Sequence, residues 1–248
     1  MGKKASLRLL FLSLPLSLLS AQTPTFNPVA PPVYSVGPLT EYSAAQPDTT
    51  DAVRFRRGER YNIPDPTVPQ LGETSEAIEL QSETHFRREP LPFDNSDAVV
   101  VGTVRAGQAY LSNDKRRLYS EFKVELQDVI KSPTGPYLMA GDSIDVQREG
   151  GKVRLPSGKV LVRAATANSM PHIGSRCLLF LKYSSDTQDY ALVTGYELRG
   201  AQVYRLDERK FEEDNHQRVE HPLREEGKTE DEFLAHAKSV SLSRKKRS

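Results

Sequence analysis

The chain has 248 residues, which as a prior is one domain or two small ones. Charged residues make up 27% and apolar residues only 37%, a low share for a packed globule of this length, so part of the chain is expected outside any core. Formal net charge is +1, or −2 once Lys3, Lys4 and Arg8 are removed with a leader; a balance this close to zero gives no argument for a nucleic-acid partner.

Lys3, Lys4 and Arg8 are followed by an apolar run over 9–19, broken at Pro15, and by Leu19-Ser20-Ala21. This is the order of a secretory signal, expected over residues 1–21 with cleavage near Ala21. An uncleaved signal anchor is the alternative. The run falls short of the about 20 apolar residues that span a bilayer, so no transmembrane span is expected after cleavage. Cys177 is the only cysteine and lies inside CLLFL. An exported domain with no internal disulfide must rely on its own core, which suits a secreted or periplasmic bacterial protein. Cys177 itself reads as a buried apolar residue rather than a reactive thiol.

Residues 22–95 read as a Pro-rich, extended or disordered segment; ten of the 17 prolines fall between 22 and 90. Arg54, Arg56, Arg57 and Arg60, interleaved with Phe55 and Tyr61, read as a solvated linker, with an anionic-surface contact as the functional alternative. Ile78, Leu80, Ser82, Thr84 and Phe86 alternate weakly and suggest an edge strand or a short packing segment.

Residues 96–207 carry the fold. Ala98-Val99-Val100-Val101 is apolar on both faces, as in a strand buried on two sides, and Gly102 suggests a bulge. Phe122, Val124 and Leu126 alternate with charged and polar residues, so one face is core and one is water. Ile144 and Val146 alternate again, and Gly150-Gly151 reads as a hairpin turn. Val153, Leu155, Val160 and Val162 fall on short strands. Residues 177–181 are a central strand, 184–189 a turn, and 190–194 and 201–206 complete the set. Phe122, Val124, Leu126, Leu179 and Phe180 are expected inside. No helix separates these strands, so the expected class is all-β, a small antiparallel barrel or sandwich.

SDAVVVGTV, a strand ending in VIKSP, a GD turn, a GG pair and a strand of the form G-x-x-x-LLFL resemble the netrin-like domain, the OB-type barrel of tissue inhibitors of metalloproteinases and netrin C-terminal modules. The resemblance implies an OB-like barrel over 96–207. It carries over no inhibitory residue, because those inhibitors act through an N-terminal cysteine that this sequence lacks.

Residues 208–248 read as a charged tail: 211–227 irregular, then a short helix over about 230–240. Thr229 with Glu232 makes a capping box, Phe233, Ala237 and Val240 share one face, and Leu234 lies beside them. Arg244-Lys245-Lys246-Arg247 is a basic end, solvated or touching a polyanion.

Gly141-Asp142-Ser143-Ile144 looks like the nucleophile motif of GDSL-type hydrolases, with His216 as a downstream base. Ser143, however, opens an alternating strand rather than preceding a helix. His216 and His221, beside Glu213 and Asp214, match no known metal spacing. No metal and no cofactor is therefore expected. The function expected is an exported, non-enzymatic binding or envelope-associated module, a monomer with a protein or cell-envelope polymer as partner. The alternative is an envelope hydrolase using Ser143 and His216. Loops on a rigid scaffold commonly carry binding, which makes Asn113, Lys115, Arg116 and Arg117 in one loop, and Met170 and His172 in another, the candidate contacts.

Overall fold

The structure, a computed structural model, describes residues 35, 37–72, 90–132, 136–164, 169–199, 202–214, 217–224 and 229–245, with backbone alone for 164, 208–214, 217–224 and 245. The leader over 1–21 and the alternating residues 78–86 lie outside the described residues, as do the side chains of His216 and His221.

Among the described residues there are nine strands and two helices: β1 (Leu39–Glu41), α1 (Ala52–Glu59), β2 (Ala98–Leu111), β3 (Leu118–Lys131), β4 (Ser143–Arg154), β5 (Val160–Ala164), β6 (Arg176–Ser184), β7 (Asp189–Arg199), β8 (Gln202–Asp214), β9 (Gln217–Arg224) and α2 (Glu230–Lys245). Five of them close a barrel. β2 pairs antiparallel with β3 and β6, β3 with β4, and β6 with β7. The ring is sealed by a parallel contact of β4 with β7 at Val146↔Tyr190 and Gln147↔Ala191. This is the expected OB-like barrel, with the bulge at Gly102 seen as a register shift between Val101 and Gly102.

The barrel interior is Ala98, Val100, Phe122, Val124, Leu126, Val146, Leu179 and their neighbours. Alternation decides what lies outside. Leu179 faces in, so Phe180 cannot; it belongs with Val99, Val101, Tyr196 and Phe93 to a second cluster that α2 covers with Phe233 and Ala237. The expectation of Phe180 in the interior is corrected on that ground, although the residue is fully buried. The ring of Phe180 meets Phe93 edge-on at 5.2 Å, and Tyr196 lies 4.7 Å from Phe233, spacings typical of favourable aromatic pairs.

Gly150-Gly151 does not turn the chain. Both lie inside β4, where the strand leaves the barrel and goes on to pair with β5 and, in parallel, with β1. Gly151 has φ +150°, and a Cβ there would lie 2.8 Å from Ala109 Cβ and Ser120 Oγ. The pair serves close approach, not reversal. A third cluster, with Ala45, Leu71, Leu111, Leu118, Val153, Leu155 and Leu161, fills the space under this extension.

Two segments gain structure that the sequence reading did not expect. Within 22–95, β1 and α1 form. Within 211–227, read as irregular, β8 and β9 pair as a hairpin.

Candidate functional site

Residues 112–117 join β2 to β3, and residues 185–188 join β6 to β7. In OB-type barrels these two loops and the strand face between them receive ligands. Here they receive the chain's own arm, residues 37–72.

The first loop holds the arm by its main chain. Asn113 donates from Nδ2 to the Phe55 carbonyl at 2.8 Å, and Asp114 Oδ2 accepts from Ile63 N–H at 2.6 Å. The Lys115 carbonyl accepts from Leu71 N–H at 2.6 Å, and Arg116 Nε donates to the Val68 carbonyl at 2.7 Å. Lys115 adopts φ +57°, a left-handed conformation that places its carbonyl for this bond. Arg117 instead approaches Glu149 at 3.6 Å. The contacts of this loop are thus with the chain's own residues 55–71.

α1 is short and has no apolar face. Asp51 caps it, accepting from Val53 and Arg54 N–H at 2.9 and 3.1 Å. Arginine does the docking. Arg54 lies over the Tyr110 ring at 4.6 Å, Arg56 donates to the Asp186 carbonyl at 3.1 Å, and Arg60 bridges Asp186 and Asp189 at 2.9 and 3.0 Å. Tyr61 stacks on Tyr119 with centroids 4.6 Å apart. Gly58 lets the helix sit against Asn113; a Cβ there would lie 2.2 Å from Asn113 Oδ1. The reading of this cluster as a solvated linker is corrected: Arg57 and Arg60 face carboxylates, Arg54 an aromatic ring and Arg56 a main-chain carbonyl of the barrel.

Arg57 is the centre. Its Nε donates to Asp189 Oδ2 at 2.7 Å, NH1 to Glu121 Oε2 at 2.9 Å and NH2 to Asp145 Oδ2 at 3.1 Å. Glu121 stands on β3, Asp145 on β4 and Asp189 at the start of β7. Gln147 Nε2 donates to Asp189 Oδ2 at 2.6 Å. Arg57 and Glu121 are each 12% exposed at the side chain and Asp189 is fully buried, so these pairs are screened little by solvent. Burial pushes the Glu121 carboxyl above its ordinary range against the pull of Arg57 and Arg54. Burial works against the charge of Arg57, but Glu121, Asp189 and Asp145 together hold its pKa above the ordinary value.

The second candidate loop lies apart from the arm's arginines. Met170 is 1% exposed and packs in the barrel core, so its side chain is no surface contact. His172 is partly exposed and its Nδ1 lies 2.6 Å from Glu197 Oε1, which also accepts from His172 N–H at 2.9 Å. Arg199 NH2 donates to the other oxygen at 2.5 Å. Burial works to raise the Glu197 carboxyl, but these bonds win and hold it down to about 2. Cys177, directly across from Glu197 in the β6–β7 pair, is fully buried, and burial pushes its thiol up to about 12. The structure thus does not bring the two candidate loops together into one site.

Ser143 is exposed at the start of β4 opposite Glu125, and no imidazole among the described residues bonds to it. Among the described residues no group of His, Cys, Asp and Glu is arranged to hold a metal ion. An open groove of about 490 Å³ runs beside Lys115, lined by Glu41, Tyr42, Gln46, Arg154 and Pro156. No described helix is long and apolar enough to cross a membrane. No protein-family model matches the chain, and no curated protein matches its sequence.

Sequence reasoning missed Glu121, Asp145, Asp189 and the role of Arg57. A signal was present: Asp51 followed by arginines at 54, 57 and 60 is a cap and a helical stripe. Because that stripe is cationic, a search for apolar periodicity passes over it.

Proposed function

We propose that the protein is an exported, non-enzymatic binding module, a netrin-like barrel that takes a polypeptide partner on the face formed by residues 112–117, residues 185–188, β3 and β4. The order of basic start, apolar run and small residue over 3–21 supports export to the periplasm or beyond. The OB-like strand order, together with the SDAVVVGTV and LLFL strands, supports the netrin-like reading.

The observation that carries the binding role is the docked arm. The first loop captures main-chain groups at Phe55, Ile63, Val68 and Leu71, and the second captures arginine side chains. Main-chain capture combined with carboxylate–guanidinium pairing reads a polypeptide and has no counterpart in an uncharged polymer. The arm is then an occupant in cis, and a partner competes with it.

The test is a labelled synthetic peptide of residues 48–62 titrated into full-length Arg57→Ala/Arg60→Ala protein, with anisotropy as the readout. Saturable binding is expected in this variant, with much weaker binding to the native chain, whose own arm fills the face. Equal and negligible binding to both would reject the reading.

A further inference from the structure

We propose that Glu121, Asp145 and Asp189 form a guanidinium-recognition site, filled in cis by Arg57 and in trans by an arginine on a helical segment of a partner. The partner half of this proposal rests on the polypeptide-binding reading above. The site itself stands on geometry.

The three carboxylates match the fork of a guanidinium. A guanidinium is planar and carries N–H groups on three nitrogens in fixed directions. Each nitrogen of Arg57 meets a carboxylate from a different strand, at 2.7, 2.9 and 3.1 Å. An ammonium on a lysine stem is a compact point charge and cannot reach three acceptors spread around a plane. The site therefore selects the group and not only its charge.

The charge of this face is not balanced from within the barrel. Lys123 pairs with Asp145 Oδ1 at 2.5 Å, but it is 60% exposed and reaches neither Glu121 nor Asp189. The cations on those two come from the arm: Arg57 on both, and Arg60 on Asp189 Oδ1. Carboxylates this buried are costly without a close counter-charge, so the barrel face demands a cation from outside itself.

The site also keeps unspent acceptor capacity. Gln147 is fully buried, with its amide on Asp189, and its Oε1 has no hydrogen-bond partner. Glu121 Oε1 is likewise buried without one. Buried acceptors are rarely left unpaired, and those that are mark places where a ligand, ion or water belongs. The walls stand on three strands beside the β4–β7 seam, so the geometry is set by the barrel rather than by the arm.

The experiment is chemical rescue. Full-length Arg57→Ala is melted with and without millimolar methylguanidinium, well below denaturing concentrations, and with methylammonium as the matched control. Removing the Arg57 side chain lowers the melting temperature. Methylguanidinium raises it again saturably by a few degrees, as a ligand of the folded state does, while methylammonium and the native protein show no such rise. Adding Glu121→Gln raises the half-saturating concentration about tenfold, the loss expected for one charge-assisted hydrogen bond. A folded Arg57→Ala protein that ignores methylguanidinium, or responds equally to methylammonium, overturns the site. Should that variant not fold, Arg57→Lys decides: a melting temperature equal to the native one overturns the requirement for a fork, and a clear fall supports it. Rescue that fails while the peptide of residues 48–62 still binds rejects this site alone. Rescue without peptide binding keeps the site and rejects the partner.

Discussion

Glu197 shows how much one side chain can hold. It is 3% exposed, yet it stays ionised because His172 donates to it from main chain and ring and Arg199 closes the other oxygen. Its folded value of about 2 lies below the ordinary 4.5. A depressed carboxylate stabilises the fold fully above its unfolded value and loses that contribution as pH falls through the window from 4.5 towards 2. A shift of this size corresponds to about 3 kcal/mol. Stability measured by denaturant titration should therefore fall steeply in this window, and Glu197→Gln should be less stable near neutrality but flatter across it. A wild-type curve with no acid limb there would refute the assignment. At Arg57 the expected cost of truncation to Ala is about 3–5 kcal/mol, since buried carboxylates lose their partner.

Residue identity in the sequence showed part of this. Asn113 and Arg116 were legible as residues of a polar loop between two strands, though not as the ones that hold residues 55 and 68. The burial of Met170 was not legible, since a sequence does not say that a loop folds back into the core. The acidic wall was hidden because Glu121 and Asp145 lie on the polar phase of alternating strands, where a charge looks like solvent exposure until another segment covers it.

At the scale of the element, α2 was read from its start. Glu232 Oε2 accepts from Thr229 N–H at 2.9 Å and from its hydroxyl at 3.0 Å, the capping box expected from the spacing. Phe233, Ala237, Leu234 and Val240 pack on the barrel as one face. The helix runs on to Lys245, past the expected end near 240. Polar contacts hold that last stretch: Lys238 with Asp128 at 2.8 Å, Ser241 donating to the Ile130 carbonyl at 3.3 Å, and Arg244 with Asp94. Apolar periodicity cannot report them. For the same reason the β8–β9 hairpin escaped notice, because ERKFEED and QRVEHPLR show no regular oily alternation. Phe233 is 2% exposed, so Phe233→Ala is expected to cost about 3–5 kcal/mol, measured by the urea midpoint. A loss below about 1 kcal/mol would mean that α2 is decoration rather than a cover for Phe180 and Tyr196.

Across the whole molecule the barrel and the arm are held by different physics. Leu178, Leu179, Phe180 and Leu181 are fully buried, and hydrocarbon transfer holds them. The arm adds Ala45 and Leu71 to an apolar cluster, but α1 and its flanks are held by ion pairs, hydrogen bonds, Arg54 over the Tyr110 ring and the stacked Tyr61–Tyr119 pair. Segments with few buried apolar contacts open at lower free energy than the core. Amide exchange should therefore show α1 opening well before β6. Gly58→Ala, which forces the Asn113 amide away from Phe55, should speed exchange in α1 while leaving β6 unchanged. Loss of protection in both together would show that the arm is an integral part of the barrel.

The acidic wall also has a consequence in time. Arg57 is made early by the ribosome, whereas Asp189 is made only after most of the barrel strands have emerged. Until then the guanidinium has no complete berth. β1 faces the same delay, because its parallel neighbour is the stretch Lys152–Arg154. The docking of residues 37–72 is thus completed only after β4 and the start of β7 have been made, far later than the synthesis of the arm itself.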